Sequence, residues 1–335
     1  MGSNPSSSRA KLRLLKHQST NPPNLAKYDR VMRPSVLLLV LVAGCAAGVH
    51  AAAGTSAAQF WEQTLPGSPM PKSIADLVQE GLDHSPLVEH YPVPATLGVN
   101  INWACTGGCP EEPAEAELPG FFFQRQVRVG STMTLFFPPA AIPPILPLDV
   151  ADKVPFNNLA DVLATFHIAP GSAAAATVEK SLRLCQAPPN AGEVKSCTSS
   201  LEATVRSAVN MLGGEVWASG SALAGAAGLP RQAYVVEAVA PLDGDRHVGC
   251  HALSYPYAVF VCHITGRPTR AYRMTLRGLR GGQAVDMAAV CHLDTSNWSP
   301  SHPAMRILHT QPGGAPVCHF VAPVNLVFGK KTSNA

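Results

Sequence analysis

Four times in its C-terminal part the chain sets a cysteine directly before a histidine: Cys250-His251, Cys262-His263, Cys291-His292 and Cys318-His319. The gaps between successive pairs are 10, 27 and 25 residues. Each pair falls inside or at the end of a segment patterned like a strand, and neighbours on a strand point to opposite faces. Every dipeptide therefore sends its thiol one way and its imidazole the other. Four such strands in one sheet would gather the cysteines on one face and the histidines on the other. Thiols on a buried face can pair as disulfides that tie strands together. Imidazoles on the opposite face can hold a metal, and histidine-only sites suit zinc, copper, iron or nickel, with copper(II) bound most tightly of the divalent first-row ions. A zinc finger is excluded, because its ligand pairs are spaced so that both members turn toward one ion. The alternative reading is a set of half-cystines whose histidine neighbours are structural.

The compartment decides which thiol chemistry applies. Arg33 is followed by the apolar run 36–43, then small residues to Ala51, the order of a secretory signal peptide. The run from 36 to 49 is too short for an ordinary membrane span, so no stable membrane span is expected. We read 1–31 as a polar, basic leader extension, either a long n-region or residues upstream of an initiator at Met32, and 32–51 as the signal peptide. Of the nine cysteines, Cys45 lies in that leader, which leaves Cys105, Cys109, Cys185, Cys197, Cys250, Cys262, Cys291 and Cys318 as an even set of disulfide candidates. Cys105 and Cys109 flank Thr106-Gly107-Gly108, and Cys185 and Cys197 flank a Pro- and Gly-containing stretch, so both spacings suit small closed loops. The overall connectivity stays open.

The net charge of +3 comes from the leader: beyond residue 51 there are 18 basic and 21 acidic side chains. No basic cluster suits nucleic acid. No Gly-x-Ser-x-Gly elbow supports a serine hydrolase. Hydrophobic residues are 46% and charged residues only 14%, enough to bury a core and lean for a cytosolic enzyme. Asn297-Trp298-Ser299 is an N-glycosylation sequon, weakened by Pro300.

The elements that must position the dipeptides follow from periodicity. Residues 52–119 read as a variable N-terminal region and acidic linker, with one helix after Pro71 carrying Ile74, Leu77, Val78 and Leu82 on one face. Strands are expected at 121–123, 127–129 and 132–136. A proline-rich stretch follows, then helices at 157–167, 172–185 and 200–212. Strands follow at 233–239, 247–252, 258–264, 271–276, 287–293 and 317–321. Helices followed by a β-rich C-terminal half make an α+β fold, its antiparallel or mixed sheet carrying the Cys-His strands.

The dipeptide spacing resembles the C-terminal signature of the plant BURP-domain family. So do the loop from Cys185 to Cys197, Ser199-Ser200-Leu201-Glu202 after it, Tyr255-Pro256-Tyr257-Ala258-Val259, Asp294-Thr295-Ser296-Asn297-Trp298 and Pro312-Gly313-Gly314. The match runs over about 120–330, which assigns 120–335 to a BURP domain, and within the family it is most like the grass anther type. Phe60-Trp61 through Met70-Pro71 resembles the family's segment after the signal. Leu148 and Gln186 depart from residues usual in the family and touch no Cys-His pair. The resemblance implies a secreted, extracellular protein of cell wall or anther, with His251, His263, His292 and His319 as copper ligands. Its partners would be cell-wall components or a peptide substrate. Some family members are copper-dependent cyclases that oxidatively link a Trp or Tyr to another residue of a core peptide. In 52–118 no segment repeats; Trp103 is the only tempting acceptor, and both it and Trp61 read as structural.

Overall fold

Side-chain caps begin most of the long helices. Ser56, Asn158, Ser172 and Ser200 each accept a backbone N–H of the first turn, satisfying donors that a helix start leaves open. The computed structural model describes residues 56–81, 120–137, 143–222, 231–282 and 284–332. Its helices are α1 (Ala57–Thr64), α2 (Lys72–Gly81), α3 (Leu148–Ala151), α4 (Leu159–Thr165), α5 (Ala173–Gln186), α6 (Leu201–Leu212) and α7 (Pro303–Ile307). Helix α6 stops at Gly213, whose φ of +69° is a conformation that glycine adopts without strain. The expected helices at 157–167, 172–185 and 200–212 are α4, α5 and α6, and the one after Pro71 is α2. Leu82 lies outside the described residues, as do Cys105, Cys109 and Trp103.

Among the described residues, eleven strands form two antiparallel sheets. The strands are β1 (Phe121–Phe123), β2 (Thr132–Leu135), β3 (Glu193–Thr198), β4 (Val216–Ser219), β5 (Gln232–Leu242), β6 (His247–Ala252), β7 (Phe260–Thr265), β8 (Thr269–Gly278), β9 (Val285–His292), β10 (Val317–Phe320) and β11 (Leu326–Lys330). One sheet runs β1-β10-β9-β8-β5-β2 and the other β3-β7-β6-β11-β4. The fold is therefore α+β, as its periodicity indicates, and every sheet pairing is antiparallel.

Two expectations change. The dipeptides do not share one sheet: the first two lie on β6 and β7 and the last two on β9 and β10. Alternation fixes which face a side chain takes but not which sheet a strand joins, and that depends on long-range pairing. The stretch 127–129 is no strand: after a 3-10 turn at Gln124–Gln126 it passes into a bend, with Val129 65% exposed and Gly130 at a φ of +82°.

Each sheet has a core on its cysteine side. Val248, Cys250, Phe260, Cys262, Ile264, Leu326 and Phe328 pack with Trp61, Leu65, Ile74 and Leu77 of the N-terminal helical segment and with Leu201 and Val205 of α6. Trp61 is structural as expected, buried with its indole N–H donating to the Ser68 carbonyl at 2.7 Å. On the other sheet, Phe122, Met133, Tyr234, Met274, Met287, Cys291, Cys318 and Phe320 share a core to which β1, β2, β5, β8, β9 and β10 all contribute and none of the described helices does. That sheet curls round its own face. The opposite faces meet through Ala271, Ala288 and Val290 of β8 and β9 against Val327 of β11. The histidines point into this seam.

Candidate functional site

Register first settles the cysteines. Cys250 faces Cys262 directly across β6 and β7, and Cys291 faces Cys318 across β9 and β10. Both pairs are disulfides, and a third joins Cys185 of α5 to Cys197 of β3. The described dipeptides thus form two disulfide-linked hairpin pairs, one in each sheet.

Because each thiol faces its own sheet's core, each imidazole faces the other sheet. The four rings form a chain: His263 to His251 at 5.5 Å between centroids, His251 to His319 at 5.9 Å, and His319 to His292 at 5.5 Å. The middle link crosses between sheets. His251, His292 and His319 are 3%, 8% and 6% exposed. Burial, and then the neighbouring imidazoles, press His251 and His292 well below the usual histidine range. His319 falls to about 4, chiefly by burial, with His263 adding to it and the Phe320 carbonyl opposing. Three of these rings are therefore neutral near pH 7, the form in which a histidine ligates a metal.

Hydrogen bonds orient the rings. His263 Nδ1 lies 2.6 Å from the Glu193 carboxylate of β3. Burial works against that carboxylate, yet the hydrogen bond from His263 holds it below the usual range. Asn325 donates to His251 Nδ1 at 3.2 Å while its own carbonyl oxygen accepts from the Ala252 N–H at 2.9 Å. His319 Nδ1 lies 3.2 Å from the Phe320 carbonyl. His292 packs edge-on against Trp298 at 5.0 Å, and Trp298 in turn lies 4.2 Å from the His302 ring. His247 borders the same space but does not join the set. Its Nδ1 meets the Thr269 hydroxyl at 2.8 Å and its Nε2 the Asp243 carbonyl at 3.0 Å, so both nitrogens are engaged.

Gly249 makes the room. A Cβ there would stand 2.8 Å from His251 Nε2 and 3.6 Å from His263 Nε2. The four rings help to line a small space of about 10 Å³, shared with His247, Gly249 and Val290 and on the order of one water-sized body. Among the described residues, no group of three or more His, Cys, Asp or Glu already stands in ligating position. The donor set nonetheless fits a first-row metal: it consists of imidazoles around a space of single-ion size. Two imidazoles sharing one ion at ~2.0 Å would put their ring centres roughly 5 Å apart, close to the 5.5–5.9 Å between successive rings here.

A wider cleft of about 350 Å³ opens on the cluster. His263, His292 and His319 reach its wall, together with Phe121 of β1, Glu193 of β3 and Trp298, whereas His251 lies behind them. Asn297, the sequon residue, is exposed on its rim.

Sequence reasoning did not find Glu193, Asn325 or Gly249. The strands that place the first two were also missed. Strand β3 is an edge strand with Val194 exposed, and β11 lies near the end of the chain. The only local signal was the apolar run 326–328. Nothing local couples Glu193 to a histidine 70 residues away.

The part of the chain that carries the Cys-His dipeptides is similar to known proteins. Residues 120–330 match the BURP domain family model. Protein RAFTIN 1A of Triticum aestivum is 44% identical over 220 residues, covering 64% of this chain and 56% of the relative. Protein RAFTIN 1B of the same species is also 44% identical, over 64% of this chain and 60% of the relative. The chain thus matches little more than half the length of those relatives. BURP domain-containing protein 5 of Oryza sativa subsp. japonica is 38% identical over 85% of this chain and 89% of its own. The residues matched by the family model, 120–330, hold all four dipeptides, and on that match the chain belongs to the plant BURP-domain family.

Proposed function

We propose that this is a secreted, extracellular protein of the cell wall or anther that binds copper through His251, His263, His292 and His319. The observation that carries the reading is the convergence of four imidazoles from two sheets, while their cysteine neighbours are spent in disulfides. With the thiols oxidised, imidazole nitrogen is the available donor, and that donor suits copper. Three disulfides among the described residues agree with an oxidising compartment, as does the signal-like leader. Among the described residues no helix is long and apolar enough to cross a membrane. When bound, copper would supply one-electron redox chemistry. The protein's own part would be to orient the rings, exclude bulk water behind His251 and present three of the histidines to the cleft.

That cleft favours a second reading, a copper-dependent oxidative peptide cyclase. It is large enough for side chains of a peptide and reaches three of the four histidines. Metal content of the purified secreted protein tests the first reading, compared with a variant carrying His251→Ala and His292→Ala. Copper near one equivalent, lost in the variant, is expected; copper unchanged by the substitutions would defeat the ligand assignment. Mass spectrometry of residues 52–118 and of added Trp- or Tyr-containing peptides, with dioxygen present, tests the second. A loss of two hydrogens not due to disulfides would support cyclisation, and its absence with copper bound would sink it.

A further inference from the structure

The two cluster histidines of the five-stranded sheet, His251 and His263, are held by partners of opposite kind. Glu193 accepts from His263 Nδ1 at 2.6 Å, so the hydrogen of that ring faces the carboxylate and Nε2 faces the chamber beside Gly249. At His251 the polarity reverses. The amide of Asn325 is fixed by the Ala252 N–H on its oxygen, so its nitrogen meets His251 Nδ1, and an amide nitrogen can only donate. Nδ1 of His251 therefore holds a lone pair, and its ring hydrogen sits on Nε2, which also borders Gly249.

We propose that Glu193 and Asn325 are positioning residues that prepare these rings differently. Glu193 sets His263 with the Nε2 lone pair toward the chamber, and Asn325 sets His251 with its hydrogen on Nε2. The proposal rests on the copper reading for its consequence, though not for the tautomers themselves. His263 is then a ready ligand. His251 becomes one through Nε2 only when its hydrogen moves to Nδ1, which requires the Asn325 amide to turn and give up Ala252. The outer histidine is preset and the inner one is latched.

Long-range nitrogen NMR on histidine-labelled, metal-free protein reads the tautomers directly. We expect an Nδ1–H on His263 and an Nε2–H on His251; the reverse at either ring overturns the proposal for that residue. In Asn325→Asp the carboxylate accepts from both Ala252 and His251, so the His251 hydrogen should move to Nδ1 and copper should bind about tenfold tighter. In Glu193→Gln copper binding should weaken about tenfold, within the ~10–100-fold range for such outer partners. Thermal melting of both metal-free variants identifies any that do not fold. Affinities equal to wild type in two folded variants would overturn the positioning roles. If the wild-type protein binds no copper while the tautomers are as stated, the copper reading fails and the hydrogen-bond assignment stands.

Discussion

In the five-stranded sheet each imidazole is gripped by a polar side chain, Asn325 on His251 and Glu193 on His263. In the six-stranded sheet the grip is different: His319 leans on a backbone carbonyl, and His292 on the edge of Trp298. A hydrogen bond from a side chain decides which ring nitrogen carries the proton. An aromatic contact fixes the plane of the ring and leaves its tautomer open. The carbonyl contact of His319 likewise keeps its hydrogen on Nδ1, so the five-stranded sheet specifies both of its cluster histidines while the six-stranded sheet leaves His292 to adjust. Their supports differ in the same sense. The first sheet packs on helices through Leu201, Val205 and Ile74, whereas the second closes on its own curled face.

The most severe test removes one sheet's histidines at a time. We expect both His251→Ala/His263→Ala and His292→Ala/His319→Ala to lose at least about 90% of bound copper, measured by elemental analysis. Retention by either would place the site in a single sheet and break the comparison. Disulfide removal comes next. Cys291→Ser/Cys318→Ser should lower unfolding free energy in urea by about 3–4 kcal/mol. Cys250→Ser/Cys262→Ser should cost about 0.7 kcal/mol less, because it closes 12 residues of separation rather than 27. A larger loss from the shorter loop would mean that helix packing, rather than chain entropy, sets the cost.

Smaller effects sharpen the contrast. Gly249→Ala puts a methyl 2.8 Å from His251 Nε2 and should destabilise by about 1–3 kcal/mol through overpacking, while weakening copper in competition titrations. Trp298→Leu removes an aromatic contact worth roughly 0.5–1.5 kcal/mol, so a loss of about threefold in copper affinity is expected. An effect of Trp298→Leu as large as that of Glu193→Gln would erase the distinction between gripping by hydrogen bond and by packing.

Much of this was legible locally. The caps Ser172 and Ser200 and the stop at Gly213 mark helices whose ends are where the residue types put them. Strand β6 spans 247–252 as its pattern indicates. The split of thiol from imidazole across each strand was also legible, because a period of two needs no tertiary information. Strand β3 was not, since an edge strand with Val194 outward lacks clean alternation. Nor was the turn at 127–129, where two valines stand in a bend and Val129 faces outward.

The sequence by itself determined the family, the dipeptides and the opposition of cysteine to histidine on each strand. Only the tertiary structure decided that the four dipeptides divide between two sheets, that Cys250 pairs with Cys262 and Cys291 with Cys318, and that the histidines meet in the seam. It alone brought Glu193 and Asn325 to His263 and His251, across 70 and 74 residues. The physical reason is one of range. Side-chain alternation is a property of a single strand, whereas sheet membership, disulfide partner and imidazole tautomer are set by what another strand brings alongside.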